Sequence, residues 1–174
     1  MALLTAVAET AAHRIEQDPT DRKWRLLGAR ASIDLGASLA ARDRDGDAQV
    51  KAKQAVDWLE TLHEKDPSDR DALRCLAKAL LLNGRIDSRR GRTQAAISAW
   101  DRARLLLAPA ARGSNNLEIL DPWASTLLLL HRRDEARPVL AALAAAGYRQ
   151  PELLALCRSQ GVAFPEPHNA RREP

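Results

Sequence analysis

Apolar residues recur along this chain at the spacing of amphipathic helices, and the apolar runs come in pairs. One such run, 3–17, leads directly into Asp18-Pro19. The sequence Asp-Pro-Thr-Asp-Arg at 18–22 recurs as Asp-Pro-Ser-Asp-Arg at 66–70, and each copy precedes an amphipathic run, a turn signal and a second amphipathic run. Proline fits only the start of a helix, and Asp, Ser and Thr accept hydrogen bonds from the first free amides. Each copy is therefore predicted to open a helical hairpin.

The hairpins divide residues 1–160 into one predicted repeat domain followed by a tail. The first helix, 3–17, has no partner before it, so either the chain starts inside a longer array or this helix is a dedicated cap. The tail, 161–174, is polar and interrupted by prolines, and we expect it to be disordered. The other predicted boundaries are 18–66 for the first hairpin, 67–109 for the second, 116–147 for the third and 151–160 for a capping helix.

Large and small residues keep a common order in the three hairpins. They are Trp24, Leu27, Gly28, Ala55, Leu59 and Leu62 in the first, Leu73, Leu76, Ala77, Leu80, Ala96, Trp100 and Ala103 in the second, and Leu120, Trp123, Ala124, Leu127, Ala136, Leu140 and Leu143 in the third. This order resembles that of the tetratricopeptide (TPR) family. The resemblance implies an all-α, TPR-like solenoid of about three antiparallel helical hairpins plus flanking helices. The end of the third hairpin is also similar to the closing TPR segment of large bacterial signalling proteins such as transmembrane Ser/Thr kinases.

The three hairpins are predicted to differ in length. The first large residue and the second-helix alanine are 31 residues apart for Trp24 and Ala55, 23 for Leu73 and Ala96, and 16, the TPR separation, for Leu120 and Ala136. One extra turn on each arm adds about 7 residues, because a turn has about 3.6 residues. We therefore expect the first hairpin to be two turns longer per arm than the third, and the second to be one turn longer. The turns then lie near 43–47 and 90–92, and Gly84 falls inside a helix.

Composition supports helices and argues against other classes. Aromatic residues make up only 3% of the 174 residues and β-branched residues are scarce, which excludes a sheet protein. No apolar run approaches the roughly 20 residues that cross a bilayer, so we expect no membrane insertion. No leader is recognised near Met1, which favours a cytoplasmic chain. Cys75 and Cys157 lack a CxxC or histidine partner, so we expect two buried apolar side chains and neither a zinc site nor a disulfide.

One segment resembles an EF-hand calcium loop, with Asp43, Asp45 and Asp47 at alternate positions. Ala48 stands where that loop needs glycine, and Gln54 stands where it needs a bidentate glutamate. We therefore interpret the segment as a turn between two helices and predict no metal and no other cofactor. The four histidines lie in different parts of the chain, and no phosphate loop or nucleophile motif is present. The sequence thus predicts a protein that is not an enzyme.

The TPR resemblance implies a concave groove lined by the first helix of each hairpin. The predicted groove residues are Arg25, Ser32, Ile33, Arg74, Lys78, Leu81, Leu82 and Ser125. The basic members are similar to part of the carboxylate clamp with which some TPR domains hold an acidic peptide end, although Ala29 stands where that clamp usually has asparagine. We therefore predict a non-enzymatic protein-protein interaction module that binds an acidic protein or peptide.

Two other functions compete with this prediction. The chain is alternatively a structural or self-associating segment of a larger signalling protein, in which neighbouring repeats or a second copy in a homodimer fill the groove. Nucleic-acid binding is the third reading, because the net charge is +4, but no aromatic residues are interleaved on an exposed basic face. The basic run 89–92 is interpreted as a solvated helix end. A concentration-dependent mass would favour self-association, and salt-sensitive binding to duplex would favour nucleic acid.

Overall fold

The computed structural model describes residues 2–166, and these form eight α-helices and no strand. The predicted all-α class is confirmed. The helices are α1 (Ala2–Gln17), α2 (Arg22–Ala40), α3 (Asp45–Lys65), α4 (Arg70–Arg89), α5 (Thr93–Ala111), α6 (Leu117–Leu129), α7 (Arg133–Ala145) and α8 (Pro151–Ser159). The chain divides within α5 into an N-terminal unit up to Leu106 and a C-terminal unit from Leu107. In the N-terminal unit α2 packs against α1, α3 and α4, and in the C-terminal unit α6 packs against α7 and α8.

The two Asp-Pro loops fold in the same way. In the first, Asp18 Oδ1 accepts hydrogen bonds from the Thr20 amide at 2.9 Å and from the Thr20 hydroxyl at 2.7 Å. In the second, Asp66 Oδ1 accepts the same two bonds from Ser68, at 3.0 and 2.6 Å. The second aspartate of each copy caps the helix that follows, α2 or α4, by accepting backbone amides of its first turn. The recurring sequence therefore specifies a recurring loop at the start of each long hairpin.

The closing turns of the three hairpins are also alike. The turn residue has a positive φ, and it is Asp43 at 58°, Gly91 at 74° and His131 at 57°. The next residue is an arginine in each case, and its amide donates to the carbonyl five residues earlier, which satisfies one of the free carbonyls at the end of a helix. These bonds are Arg44 to Leu39 at 3.1 Å, Arg92 to Asp87 at 2.8 Å and Arg132 to Leu127 at 2.8 Å. The three hairpins therefore share a turn structure, in addition to the Asp-Pro loop that the two long hairpins share at their starts.

These loops and turns define the lengths of the hairpins. Asp18 and Asp66 are 48 residues apart, and so are Asp43 and Gly91. The arms of the first hairpin have 19 and 21 residues, and those of the second have 20 and 19. Both arms of the third have 13 residues, which is about two turns less per arm. The prediction that the third hairpin is shortest is confirmed, but the predicted one-turn difference between the first and second is wrong.

The error came from pairing the wrong alanines. Ala96 and Ala136 each lie three residues into the second helix of their hairpin, and the residue at that place in the first hairpin is Ala48. All three are fully buried. Ala55, which the spacing argument used, lies two turns further along α3 and is also fully buried. Periodicity alone does not separate two alanines that share one helix face.

Two glycines inside helices make room for tryptophan rings. A Cβ at Gly84 in α4 would lie 2.6 Å from Cδ1 of Trp100, whose ring is buried and whose Nε1 donates to the Leu81 carbonyl at 3.4 Å. A Cβ at Gly28 in α2 would lie 2.8 Å from Cζ3 of Trp58. Gly84 is therefore required by the close approach of α4 and α5, in spite of the roughly 1 kcal/mol of helix propensity that a glycine loses to alanine.

Three further expectations concern the cysteines, the membrane and the tail. Cys75 and Cys157 are buried and form no disulfide, and burial raises the pKa of the Cys157 thiol. Among residues 2–166, no helix combines the length and the hydropathy that crossing a bilayer requires. Within the predicted tail, residues 162–166 follow α8 without helix, and the Arg149 guanidinium lies 6.0 Å from the centre of the Phe164 ring. The rest of the tail, 167–174, lies outside the described residues.

Candidate functional site

A partly exposed surface runs along α2 and α4, the first helices of the two long hairpins. We name it the α2–α4 face and define it by Leu27, Arg30, Asp71, Arg74, Lys78 and Leu82. On each helix these residues are three or four positions apart, so they lie on one side of it. The two rows are neighbours because α2 packs against α4. Charged and apolar side chains therefore share one partly exposed surface.

Asp71 links the two rows of the α2–α4 face. Its Oδ1 lies 3.4 Å from Arg30 Nη2 and 3.1 Å from Arg74 Nη2, so one carboxylate oxygen is shared by guanidinium groups of two helices. Lys78 lies one turn beyond Arg74 and is exposed, and within residues 2–166 its ammonium has no ion-pair partner. This face thus carries three cationic side chains, together with the carboxylates of Asp71 and, four residues after Arg30 on α2, of Asp34.

Arg22 and Asp69 form a two-pronged ion pair between the amino ends of α2 and α4. Arg22 Nε donates to Asp69 Oδ2 at 2.7 Å, and its Nη2 donates to Oδ1 at 2.9 Å. These hydrogen bonds, together with the amides that Asp69 caps, hold the pKa of the Asp69 carboxyl below its ordinary value. The first residue of one hairpin therefore binds the cap of the next, which sets the spacing of the two helices of the α2–α4 face.

The structure brings only part of the predicted groove to this face. Arg74, Lys78 and Leu82 lie on it. Ser32 and Leu81 do not, because they are 0% and 6% exposed. Ser125, in the C-terminal unit, is 7% exposed. These three buried side chains are not available to a partner, and their assignment to an exposed groove is corrected accordingly.

Arg25 and Ile33 also lie away from the centre of the face. Arg25 is about 140° around α2 from Arg30, and its Nε donates to the Pro19 carbonyl at 2.8 Å. Ile33 is half-buried and lies three positions after Arg30, on the side opposite to Leu27, so it borders the face.

The large residues from which the two sets of positions are counted, Trp24 and Leu73, are 49 residues apart, whereas the repeat length is 48. The predicted positions on α2 are therefore displaced by one residue relative to those on α4. The predicted groove lacks Leu27, Arg30 and Asp71, although each lies three or four positions from another residue of the face on its own helix.

A buried polar network lies behind the turn of the second hairpin. Its centre is formed by Gln49 and Asp87, which are 6% and 5% exposed. Gln49 Nε2 donates to Asn83 Oδ1 at 2.7 Å, and Arg92 Nε donates to Asp87 Oδ1 at 2.7 Å. Arg92 also donates from Nη2 to Gln49 Oε1. The polar side chains that meet in this network thus satisfy one another, as burial requires.

Arg89 connects this region to the turn of the first hairpin. Its Nη1 donates to the Ala40 carbonyl at 2.7 Å, and its Nη2 lies 2.9 Å from Asp43 Oδ1 and 3.0 Å from Asp45 Oδ1. Arg89 and Arg92 stay 41% and 42% exposed, as expected of a solvated helix end, but the predicted interpretation of 89–92 did not include their bonds to the first hairpin. Two of the aspartates in the calcium-like segment are engaged by this arginine. For Arg92 the sequence carries a signal, because an arginine follows the turn residue of each of the three hairpins, whereas Arg89 has no such signal.

Residues 2–166 contain no group of three or more His, Cys, Asp or Glu side chains arranged to hold a metal ion. No protein-family model, curated protein or solved structure matches the chain. The function proposed below is therefore based on the charged and apolar side chains of the α2–α4 face.

Proposed function

We propose that this chain is a non-enzymatic protein-binding module, built of TPR-like hairpins, and that the α2–α4 face binds an acidic protein segment. The observation that supports this is Lys78, an exposed cationic side chain one turn beyond Arg74 that makes no ion pair within residues 2–166. Arg30 and Arg74, by contrast, bind Asp71. An acidic side chain of a partner would pair with Lys78.

Apolar side chains on the same surface extend the recognition beyond charge. Leu27 is 39% exposed, and Leu82 is half-buried one turn beyond Lys78. A segment that carries both acidic and apolar residues therefore complements the face. Charge steers and orients such a segment, and the buried apolar contacts keep it bound.

The test is a titration of the full chain and its Lys78→Glu variant against a library of acidic amphipathic peptides, read by fluorescence anisotropy. Lys78 makes no ion pair that the substitution would break, whereas Arg74→Glu would place a carboxylate beside Asp71. We expect the selected peptides to bind Lys78→Glu about tenfold more weakly, and the remaining affinity to depend less on salt. The matched control is Lys53→Glu, which makes the same charge change at an exposed position on α3.

Other outcomes would replace the proposal. If the wild type selects no acidic peptides, or if both variants bind them equally, the face is not the binding site. A mass that rises with protein concentration would then favour the self-associating segment. Tight, salt-sensitive binding to random duplex DNA would favour the nucleic-acid reading.

A further inference from the structure

The C-terminal unit contains a cleft of about 550 Å³ between α7 and the segment after α8. This volume lies within the range of roughly 300–1,000 Å³ that is usual for small-molecule sites. Its lining consists of Arg133, Arg137, Leu140, Ala141, Gly161, Val162, Ala163 and Pro165. The lining thus includes two arginines, and its other side chains are aliphatic. It has no hydroxyl, amide or carboxylate side chain.

The wall opposite α7 is held in place by its own contacts. The Val162 amide donates to the Cys157 carbonyl at 2.9 Å, which fastens the segment to the end of α8. Two residues further on, the Phe164 ring lies under the Arg149 guanidinium, 6.0 Å from ring centre to Cζ. The cleft is therefore formed before any ligand arrives.

The positive charges of the two arginines are only weakly neutralised within the described chain. They are one helical turn apart on α7, so their side chains lie on the same side of it. Arg137 pairs with Asp134 at 3.3 Å, but the two side chains are 72% and 92% exposed, and such a pair contributes little stability. Among residues 2–166, Arg133 has no ion-pair partner. It is also the first residue of α7, where the helix dipole disfavours a cation and favours an anion.

We propose that this cleft binds a small organic anion with one carboxylate at the end of an apolar chain. The planar guanidinium groups match a carboxylate, and the aliphatic lining matches the chain. A sugar or nucleoside would leave its hydroxyl groups or base edge without polar side-chain partners along the apolar lining. The polar part of the ligand is therefore confined to one end. This site is separate from the α2–α4 face, and neither proposal depends on the other.

The experiment titrates the full chain with hexanoate, octanoate and decanoate below their micelle concentrations. Octanol is the neutral probe of the same chain length. Binding is followed in amide NMR spectra, where the shifts should concentrate at Gly161, Val162 and Ala163. We expect affinity to rise about fourfold per added methylene until the cleft is filled, because each buried methylene contributes about 0.8 kcal/mol. Octanol should bind at least tenfold more weakly than octanoate, since it lacks the charge.

The variants are Arg133→Gln, Arg137→Gln and the control Arg158→Gln, which changes an exposed arginine of α8 outside the cleft. We expect about tenfold weaker octanoate binding in each of the first two and unchanged binding in the third. Equal affinity for octanol and octanoate would overturn the proposal, as would an equal loss in the control. Absence of shifts at the three segment amides would also overturn it. Failure here leaves the α2–α4 proposal untouched, because its peptides and variants are different.

Discussion

The second and third hairpins close with the same backbone turn but hold it with different chemistry. In the second, Arg92 pairs with Asp87, whose side chain is only 7% exposed. In the third, Arg132 pairs with Glu135 at 2.5 Å, with side chains 41% and 51% exposed. A carboxylate removed from water needs its partner far more than one that stays hydrated. The same arginine position is therefore structural in one hairpin and nearly dispensable in the other.

The first helices of the short and the long hairpins also differ in how much of each helix is buried. Nine of the 13 residues of α6 are buried, whereas nine of the 19 residues of α2 are buried. The short hairpin thus relies on a dense apolar helix. The long hairpins carry alanine-rich faces and add polar links such as Gln49 with Asn83. On a face of repeated alanines a slip by one turn costs little apolar contact, and a buried polar pair specifies one register against such slips.

The largest expected effect on stability comes from a Gly→Ala substitution that should affect the second hairpin much more than the first. Gly36 and Gly84 are counterparts 48 residues apart. A Cβ at Gly84 would meet the buried Trp100 ring at 2.6 Å, whereas one at Gly36 would meet only the end of Leu82 at 3.1 Å and the Ala48 carbonyl at 3.3 Å. We expect Gly84→Ala to lower the free energy of unfolding by about 2–3 kcal/mol and Gly36→Ala by less than about 1 kcal/mol. Urea unfolding followed by circular dichroism measures both, and equal losses would contradict the Trp100 contact.

The next effect tests the comparison of the turns directly. Arg92→Ala leaves Asp87 buried without its guanidinium, and we expect a loss of about 2 kcal/mol, which allows for the 42% exposure of Arg92. Arg132→Ala breaks only a surface pair and should cost at most about 0.5 kcal/mol. The same unfolding experiment applies. A loss in Arg132→Ala as large as in Arg92→Ala would show that the backbone turn, and not the burial of its partner, sets the role of the arginine.

The smallest effect compares two helix caps and depends on pH. Asp69 caps α4 and binds Arg22, whereas Asn116 caps α6 by accepting only the Glu118 amide at 2.9 Å. We expect Asp69→Ala to cost about 1.5 kcal/mol at pH 7 and Asn116→Ala about 1 kcal/mol. The folded pKa of Asp69 is lowered, so its contribution is complete above the unfolded pKa of about 3.9 and is lost as the pH falls through the folded value.

Unfolding of both cap variants at pH 7 and below pH 3 checks this dependence. The cost of Asp69→Ala should shrink in acid, whereas the cost of Asn116→Ala should stay constant because an amide does not titrate in this range. A constant cost for Asp69→Ala would mean that the ion pair with Arg22 contributes nothing.

The α4 half of the candidate site could be predicted from the sequence, and the α2 half could not. Arg74, Lys78 and Leu82 lie one turn apart on a helix whose start is marked by Asp69, so their common face follows from helix geometry. On α2 the predicted positions are counted from Trp24, which is one residue out of register with Leu73 in the 48-residue repeat. Arg30 belongs to the face because Asp71, on the next hairpin, binds it.

The sequence by itself determined where the helices begin and turn. Caps, Asp-Pro loops and apolar periodicity each depend on residues within about four positions of one another, so a short stretch of sequence is enough to specify them. Tertiary structure alone decided which arginines bind groups of another helix and which glycines must accommodate a tryptophan. Arg89 with Ala40 and Gln49 with Asn83 join residues 49 and 34 positions apart. Their meeting depends on how whole helices pack, and no local pattern records it.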